Sequence, residues 1–174
     1  MKGPLKAFAQ WLRPDMWAER VSDLTPGLLE ERGIKAIILD LDNTLLPWKS
    51  DRVPEENLRW AEGLRREGIK IFVLSNTTKP GRMKAICAGI GAGWIHPAAK
   101  PNKSSFLRAA RSLELEPREI AVVGDQLFTD MLGGRLAGMY LVLVRPISAV
   151  EFAGTRLISR PAERLLKKYM QGPF

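Results

Sequence analysis

Short apolar runs that alternate with helical segments constrain this chain more than any other feature. Ile34–Leu41 (IKAIILDL), Ile69–Leu74, Gly93–Ile95, Ile120–Val123 and Tyr140–Val144 each read as a buried strand. Between them, Pro54–Glu67, Pro80–Ala88, Lys103–Leu113 and Phe128–Ala137 read as helices. In the first of these, Leu58, Ala61 and Leu64 recur at helical spacing, Pro54 suits the opening turn, and Gly68 suits the position past the last turn. Strand alternating with helix predicts an α/β fold, with a parallel sheet of about five strands covered on both faces. Ligands in such sheets bind beyond the carboxyl ends of the strands. The polar residues at those ends are therefore the ones to read for chemistry.

Four strand ends carry reactive groups. The first closes on Asp40-Leu41-Asp42-Asn43-Thr44. Residues two apart on a strand point the same way, so Asp40 and Asp42 face each other's charge and need a cation to stay ionised. Magnesium suits such a site, because it takes oxygen ligands from one or two carboxylates together with a substrate phosphate. The string alone arises by chance in about one chain in fifty. The second strand ends in Ser75-Asn76, where a hydroxyl and free N–H groups suit a phosphoryl oxygen. Lys100 follows the third strand and balances the acids. The fourth ends in Gly124-Asp125, with Asp130 five residues on. Asp125 is placed to complete the metal site, and Asp130 to support it or Lys100.

Asp-x-Asp, Ser, Lys and Gly-Asp-x-x-x-x-Asp in this order resemble the haloacid dehalogenase superfamily in its phosphatase branch, over about residues 34–144. Within it, GIKAIILDLDNTLLPW (33–48) and GDQLFTD (124–130) resemble the YqeG-type group of subfamily IIIA, related to phosphatidylglycerophosphate phosphatases. That group also has an upstream Pro-Asp, as at Pro14-Asp15, and a basic C-terminal tail. Asn43 stands where glycine is common elsewhere in the superfamily. The resemblance implies a three-layer Rossmann-like core and a set of roles. Asp40 is the nucleophile that forms an aspartyl-phosphate. Asp42 protonates the leaving oxygen and then activates water. Asp40, the backbone carbonyl of Asp42, and Asp125 hold Mg²⁺. Ser75, Asn76 and Lys100 contact the phosphate, and Asp130 and Thr44 support the site.

Spacing bears on the substrate. Only 32 residues separate Asp42 from Ser75, and 24 separate Ser75 from Lys100. The assigned elements fill most of both intervals, so no cap domain is expected and the carboxylates should lie exposed. A phosphate on something large suits such a site: a protein, a nucleic acid end or a lipid head group. The chain is basic, with a formal net charge of +8 over 174 residues, which favours anionic partners.

Three segments are expected: an N-terminal arm (1–33), the phosphatase core (34–150) and a basic amphipathic tail (151–174). The arm carries Leu5, Phe8, Trp11, Leu12 and Trp17. The tail sets Arg156, Arg160, Arg164, Lys167 and Lys168 against Glu163 alone, with Leu157, Leu165, Tyr169 and Met170 as its apolar face. Such arms suit peripheral contact with an anionic membrane, and packing on the core is the alternative. With no spanning segment or secretory signal expected, and Cys87 as the sole cysteine, the protein is expected in the cytoplasm, at the inner face of the cell membrane. The expected reaction is Mg²⁺-dependent dephosphorylation of phosphatidylglycerophosphate. The alternative is a capless phosphatase for phosphoprotein, nucleic acid ends or small phosphoesters, and nucleic acid is the less favoured partner. A signalling receiver domain is disfavoured by motif order, because receivers phosphorylate an aspartate after a later strand. His96 and Cys87 are expected to be structural.

Overall fold

The computed structural model describes residues 3–148, 160–170 and 172–173. Six parallel strands form one sheet: β1 (Met16–Ala18), β2 (Ala36–Leu39), β3 (Lys70–Leu74), β4 (Gly93–Ile95), β5 (Ile120–Gly124) and β6 (Tyr140–Val144), in the order β1-β6-β5-β2-β3-β4. Seven α-helices among the described residues accompany it: α1 (Gly3–Leu12), α2 (Pro26–Glu30), α3 (Glu55–Arg66), α4 (Pro80–Ile90), α5 (Lys103–Leu113), α6 (Leu132–Ala137) and α7 (Arg160–Met170). From β2 the chain steps outward to β3 and β4, then crosses back to place β5 on the other side of β2. That reversal opens a crevice at the carboxyl end of β2, the usual place for a ligand in such sheets.

Strand alternation builds two cores. Ile37, Leu39, Ile71, Val73, Ala121, Val123, Val142 and Val144 face one side, against Trp60, Ala61 and Leu64 of α3 and Met83, Ile86, Cys87 and Ile90 of α4. Ala36, Ile38, Phe72, Leu74, Val122, Leu141 and Leu143 face the other, against Phe106, Ala109 and Leu113 of α5, Ala9 and Leu12 of α1, and Leu166 and Met170 of α7. Each central strand is buried on both faces, which is why it reads as a continuous apolar run. Nothing resembling a cap interrupts the described residues between β2 and β3, or between β3 and β4.

The sheet is one strand wider than expected. Met16–Ala18 pairs with Val142–Val144, and only three residues do so, too few for a periodic signal. Asp15 fastens this edge. Its N–H donates to Leu141 O at 3.0 Å. Its Oδ2 accepts from the Leu141 N–H at 2.8 Å. The upstream Pro-Asp stretch is thus a clasp between the N-terminal segment and β6.

Of the tail, Leu157 lies outside the described residues. In α7 the inner face is Leu166 and Met170, while Leu165 is exposed, a correction of one position to the expected apolar face. Gln10 Nε2 on α1 donates to Tyr169 O on α7, and the two helices pack together. The outer side of α1 leaves Leu5, Phe8 and Trp11 exposed. No helix among the described residues is long and apolar enough to cross a membrane.

Candidate active site

Asp40 follows the last residue of β2, and its N–H continues the ladder to Val123 O at 3.0 Å. The chain then folds into a tight loop. Asn43 takes φ 65°, a left-handed conformation that asparagine tolerates better than most side chains, so it can stand where glycine would otherwise be needed. The Asn43 N–H donates to Leu46 O at 2.8 Å, and its Oδ1 accepts from Ser148 Oγ at 2.9 Å. The loop is therefore held by its own amide.

Lys100 stands at the centre of the acids. Its Nζ lies 2.5 Å from Asp40 Oδ1 and 2.6 Å from Asp130 Oδ1, with all three side chains buried. Its backbone is clamped by Asn76, whose Nδ2 donates to Lys100 O at 3.0 Å and whose Oδ1 accepts from the Lys100 N–H at 2.9 Å. Asn76 lines the pocket, and its side chain is engaged with the lysine backbone. Ser75 is buried at the end of β3, and its Oγ accepts from the Thr77 N–H at 3.2 Å. His96 Nε2 donates to Thr77 O at 2.8 Å, the structural role expected of it.

Asp125 closes β5 and is fully buried, with Thr44 Oγ1 3.4 Å from its Oδ1. Asp130 lies in a π-helical turn (Leu127–Met131) where a continuous α-helix was expected. Its Oδ2 accepts from the Gln126 N–H at 3.2 Å. A Cβ at Gly124 would sit 2.4 Å from Asp130 Cγ, so the glycine of the Gly-Asp motif is the space that Asp130 occupies.

Carboxylate oxygens of Asp40, Asp125 and Asp130 lie within 4.8 Å of one another. Three buried carboxylates against one ammonium leave an uncompensated negative charge. Burial raises the Asp40 carboxyl most, Lys100 lowers it, and Asp130 and Asp125 raise it again, which together leave it pushed up to about 8. Burial by itself would push the Lys100 ammonium down, but Asp130 and Asp40 outweigh it and hold it above the ordinary lysine value. An all-oxygen donor set short of positive charge fits a hard divalent cation. The expectation that the Asp40 and Asp42 carboxylates lie exposed is not met at Asp40, which is buried with the other acids of the cluster, while the Asp42 side chain is 24% exposed. Asp40, Asp125 and Asp130 are 8%, 0% and 1% exposed, because the sheet end sinks them below the loops even without a cap.

Asp42 stands apart from this cluster. Its Oδ1 accepts from Arg82 Nη2 at 2.9 Å and from the Lys49 N–H at 3.0 Å, and its Oδ2 accepts from Arg82 Nη1 at 3.2 Å. Arg82 is only 6% exposed and also donates from Nε to Ser50 O at 2.8 Å. In the sequence Arg82, like Lys79 and Lys103, reads as a residue able to touch a head group but inseparable from ordinary surface charge. Its place in the opening turn of α4, directly after the Ser75 loop, was the available signal. A hollow of about 580 Å³ joins these groups, lined among others by Asp40, Asp42, Trp48, Ser75, Arg82 and Lys100.

A carboxylate at the end of a central parallel strand, a lysine bridging it to a second acid, and a third acid from the neighbouring strand fit a haloacid dehalogenase-like hydrolase. The chain belongs to that family: the family's model matches residues 51–138, a span that contains Ser75, Lys100, Asp125 and Asp130. Within it the chain falls in the YqeG-type phosphatase group. It is 36% identical over 153 residues to YqeG of Bacillus subtilis, described as a probable phosphatase, covering 88% of each chain. It is 29% identical over 147 residues to the mitochondrial phosphatidylglycerophosphatase of Saccharomyces cerevisiae, covering 78% of this chain and 76% of that one. The fold recurs in the crystal structure of an uncharacterised Listeria monocytogenes protein, with a TM-score of 0.52 at 19% identity, covering 78% of this chain and 99% of that one.

Proposed function

We propose that this protein is a Mg²⁺-dependent phosphomonoester hydrolase that removes the terminal phosphate of phosphatidylglycerophosphate at a membrane surface. The observation that carries the chemistry is Lys100 bridging Asp40 and Asp130 beside Asp125. Asp40 attacks phosphorus in line, forming an aspartyl-phosphate as the bond to the leaving oxygen breaks. Asp42 gives its proton to that oxygen and takes one back from the water that hydrolyses the intermediate. Lys100 and the N–H groups around Ser75 hold the phosphoryl oxygens, and Asp130 holds Lys100. Asp40, Asp125 and the backbone carbonyl of Asp42 would hold Mg²⁺, which when bound would supply positive charge against the transferring group.

The lipid reading is supported by the yeast relative's named activity and by the paired terminal helices. Exposed Leu5, Phe8 and Trp11 of α1 lie on a helix packed against α7, which carries exposed Arg164 and Lys168. Apolar and basic side chains together suit an anionic bilayer, at about 1 kcal/mol per basic residue. The hollow of about 580 Å³ favours a second reading, a soluble phosphoester of similar chemistry.

Release of phosphate from short-chain phosphatidylglycerophosphate by the purified protein with Mg²⁺, reduced about 10⁴-fold or more in Asp40→Asn, tests the chemistry. Good turnover of phosphopeptides with none of the lipid overturns the substrate. Flotation with anionic vesicles tests the membrane step, and a protein that stays in solution overturns it.

A further inference from the structure

The pocket is divided by charge. Its floor holds the acids with Lys100, and its wall on the Asp42 side holds Lys49, Lys79 and Arg82. These three cations are not needed to balance the floor, which Lys100 and a metal serve. Arg82 is the informative one. Its guanidinium is almost fully buried yet lines the hollow, and it presents a two-nitrogen fork that the Asp42 carboxylate occupies at 2.9 and 3.2 Å. Such a fork matches carboxylate and phosphate oxygens alike. From behind, the Ser50 carbonyl and the Asp51 carboxylate (3.3 Å from Nε) anchor the same guanidinium. Arg82 therefore keeps its place when the group in its fork is exchanged.

Two further cations stand beside it. Lys49 has φ 59°, and its Nζ lies 4.2 Å from the centre of the Trp48 ring, which also lines the hollow. Lys79 directly precedes α4, so its charge adds to the positive end of that helix. A wall built this way is suited to an anion in addition to the phosphate at Asp40.

We infer that Arg82, with Lys49 and Lys79, forms a specificity subsite for a second anionic phosphate on the substrate, a few bonds from the phosphomonoester at Asp40. The inference rests on the phosphatase reading and deepens it. The substrate carries two phosphates, and the one that stays is read by the fork now filled by Asp42. That phosphate belongs either to the phosphodiester of a lipid head group or to a soluble bisphosphate.

The test compares glycerol 3-phosphate, glycerol 1,3-bisphosphate and short-chain phosphatidylglycerophosphate, with Mg²⁺. The unaltered protein should favour the two esters that carry a second phosphate by about tenfold or more in kcat/KM, chiefly through KM. The readout is the ratio to glycerol 3-phosphate, from which any general loss through disturbing Asp42 divides out. Arg82→Gln should bring that ratio towards one, and Arg82→Lys should restore part of it. Lys79→Gln, at the exposed rim, should lower it about threefold, so the test stands even where Arg82 variants fold poorly. A lipid preferred over the bisphosphate identifies the source as the head group, and equal turnover identifies the phosphate itself. Equal efficiency on all three esters, or a ratio that no variant alters, overturns the inference and leaves the phosphatase reading standing. Turnover of none overturns both.

Discussion

Glu163 Oε1 on the C-terminal helix accepts a hydrogen bond from the Leu127 N–H at 2.9 Å, across 36 residues of chain. Leu127 opens the π-helical turn that carries Asp130, and Asp130 holds Lys100. Glu163 is 1% exposed, the one acid in a helix otherwise rich in arginine and lysine. The basic tail is thus connected to Lys100 through two side chains, Glu163 and Asp130, and the backbone of the turn between them. Its inner face positions the site while its outer face carries the charge.

Removing that acceptor should loosen the turn. Glu163→Ala leaves the Leu127 N–H buried without this partner, a loss of about 1.5–3 kcal/mol. Activity should fall about tenfold or more through Asp130, with kcat affected more than KM. Glu163→Gln keeps an acceptor oxygen and should recover most of the activity. Thermal unfolding and steady-state kinetics on both variants check this; equal kcat in all three proteins would assign Glu163 to stability alone.

Gly124 offers a sharper test of the same turn. A methyl group there collides with Asp130 Cγ and Oδ2, each 2.4 Å from the added carbon. Gly124 lies in β5 with no positive φ, so the cost is steric and not one of backbone conformation. Gly124→Ala should cost about 1–3 kcal/mol in stability, as overpacking does. It should cost about 10²-fold in kcat, since a shift near 1 Å in a catalytic group has that effect. Denaturant midpoints beside kcat separate the two losses.

The strands that carry the chemistry were legible because burial on both faces writes them as unbroken apolar runs. Lys103–Leu113 and Tyr140–Val144 have the expected bounds, and the acids sit at strand ends as read. What escaped notice depends on tertiary contact. Met16–Ala18 is a strand only because β6 offers an edge. Arg82 looks like any surface arginine until α4 turns it onto Asp42. Glu163 looks like the odd acid in a basic run until α7 docks. The depth of the acids is a tertiary property too: Asp40, Asp125 and Asp130 are buried without any cap, which spacing along the chain does not reveal.

Lys100 should be indispensable for folding as well as for turnover. With its side chain 4% exposed between Asp40 and Asp130, Lys100→Met leaves the acids to repel one another in a buried setting. Breaking a buried pair this way costs about 3–5 kcal/mol. Added Mg²⁺ should recover part of that stability in the variant without recovering turnover. Melting temperatures with and without the ion, beside phosphate release, read both effects.

The direction in which Asp40 is pushed gives a pH signature without any catalytic assay. In metal-free protein its carboxyl titrates near 8, against 3.8 for the ordinary group. Between those values the folded state binds a proton that the unfolded state has released. Stability of the metal-free protein should therefore fall as pH rises from about 4 towards 8, by at most ~1.4 kcal/mol per pH unit. Mg²⁺ requires the ionised form, so its binding should expel this proton and tighten as pH rises, levelling off above about 8. Urea unfolding at pH 5, 6, 7 and 8 in EDTA should show this fall, and saturating Mg²⁺ should flatten it, because the metal-bound folded state and the unfolded state then hold equally few protons at Asp40. In Asp40→Asn the proton is gone, and the metal-free slope should flatten. A metal-free protein that becomes more stable across this range would place the ionised carboxylate, already balanced by Lys100, as the resting form.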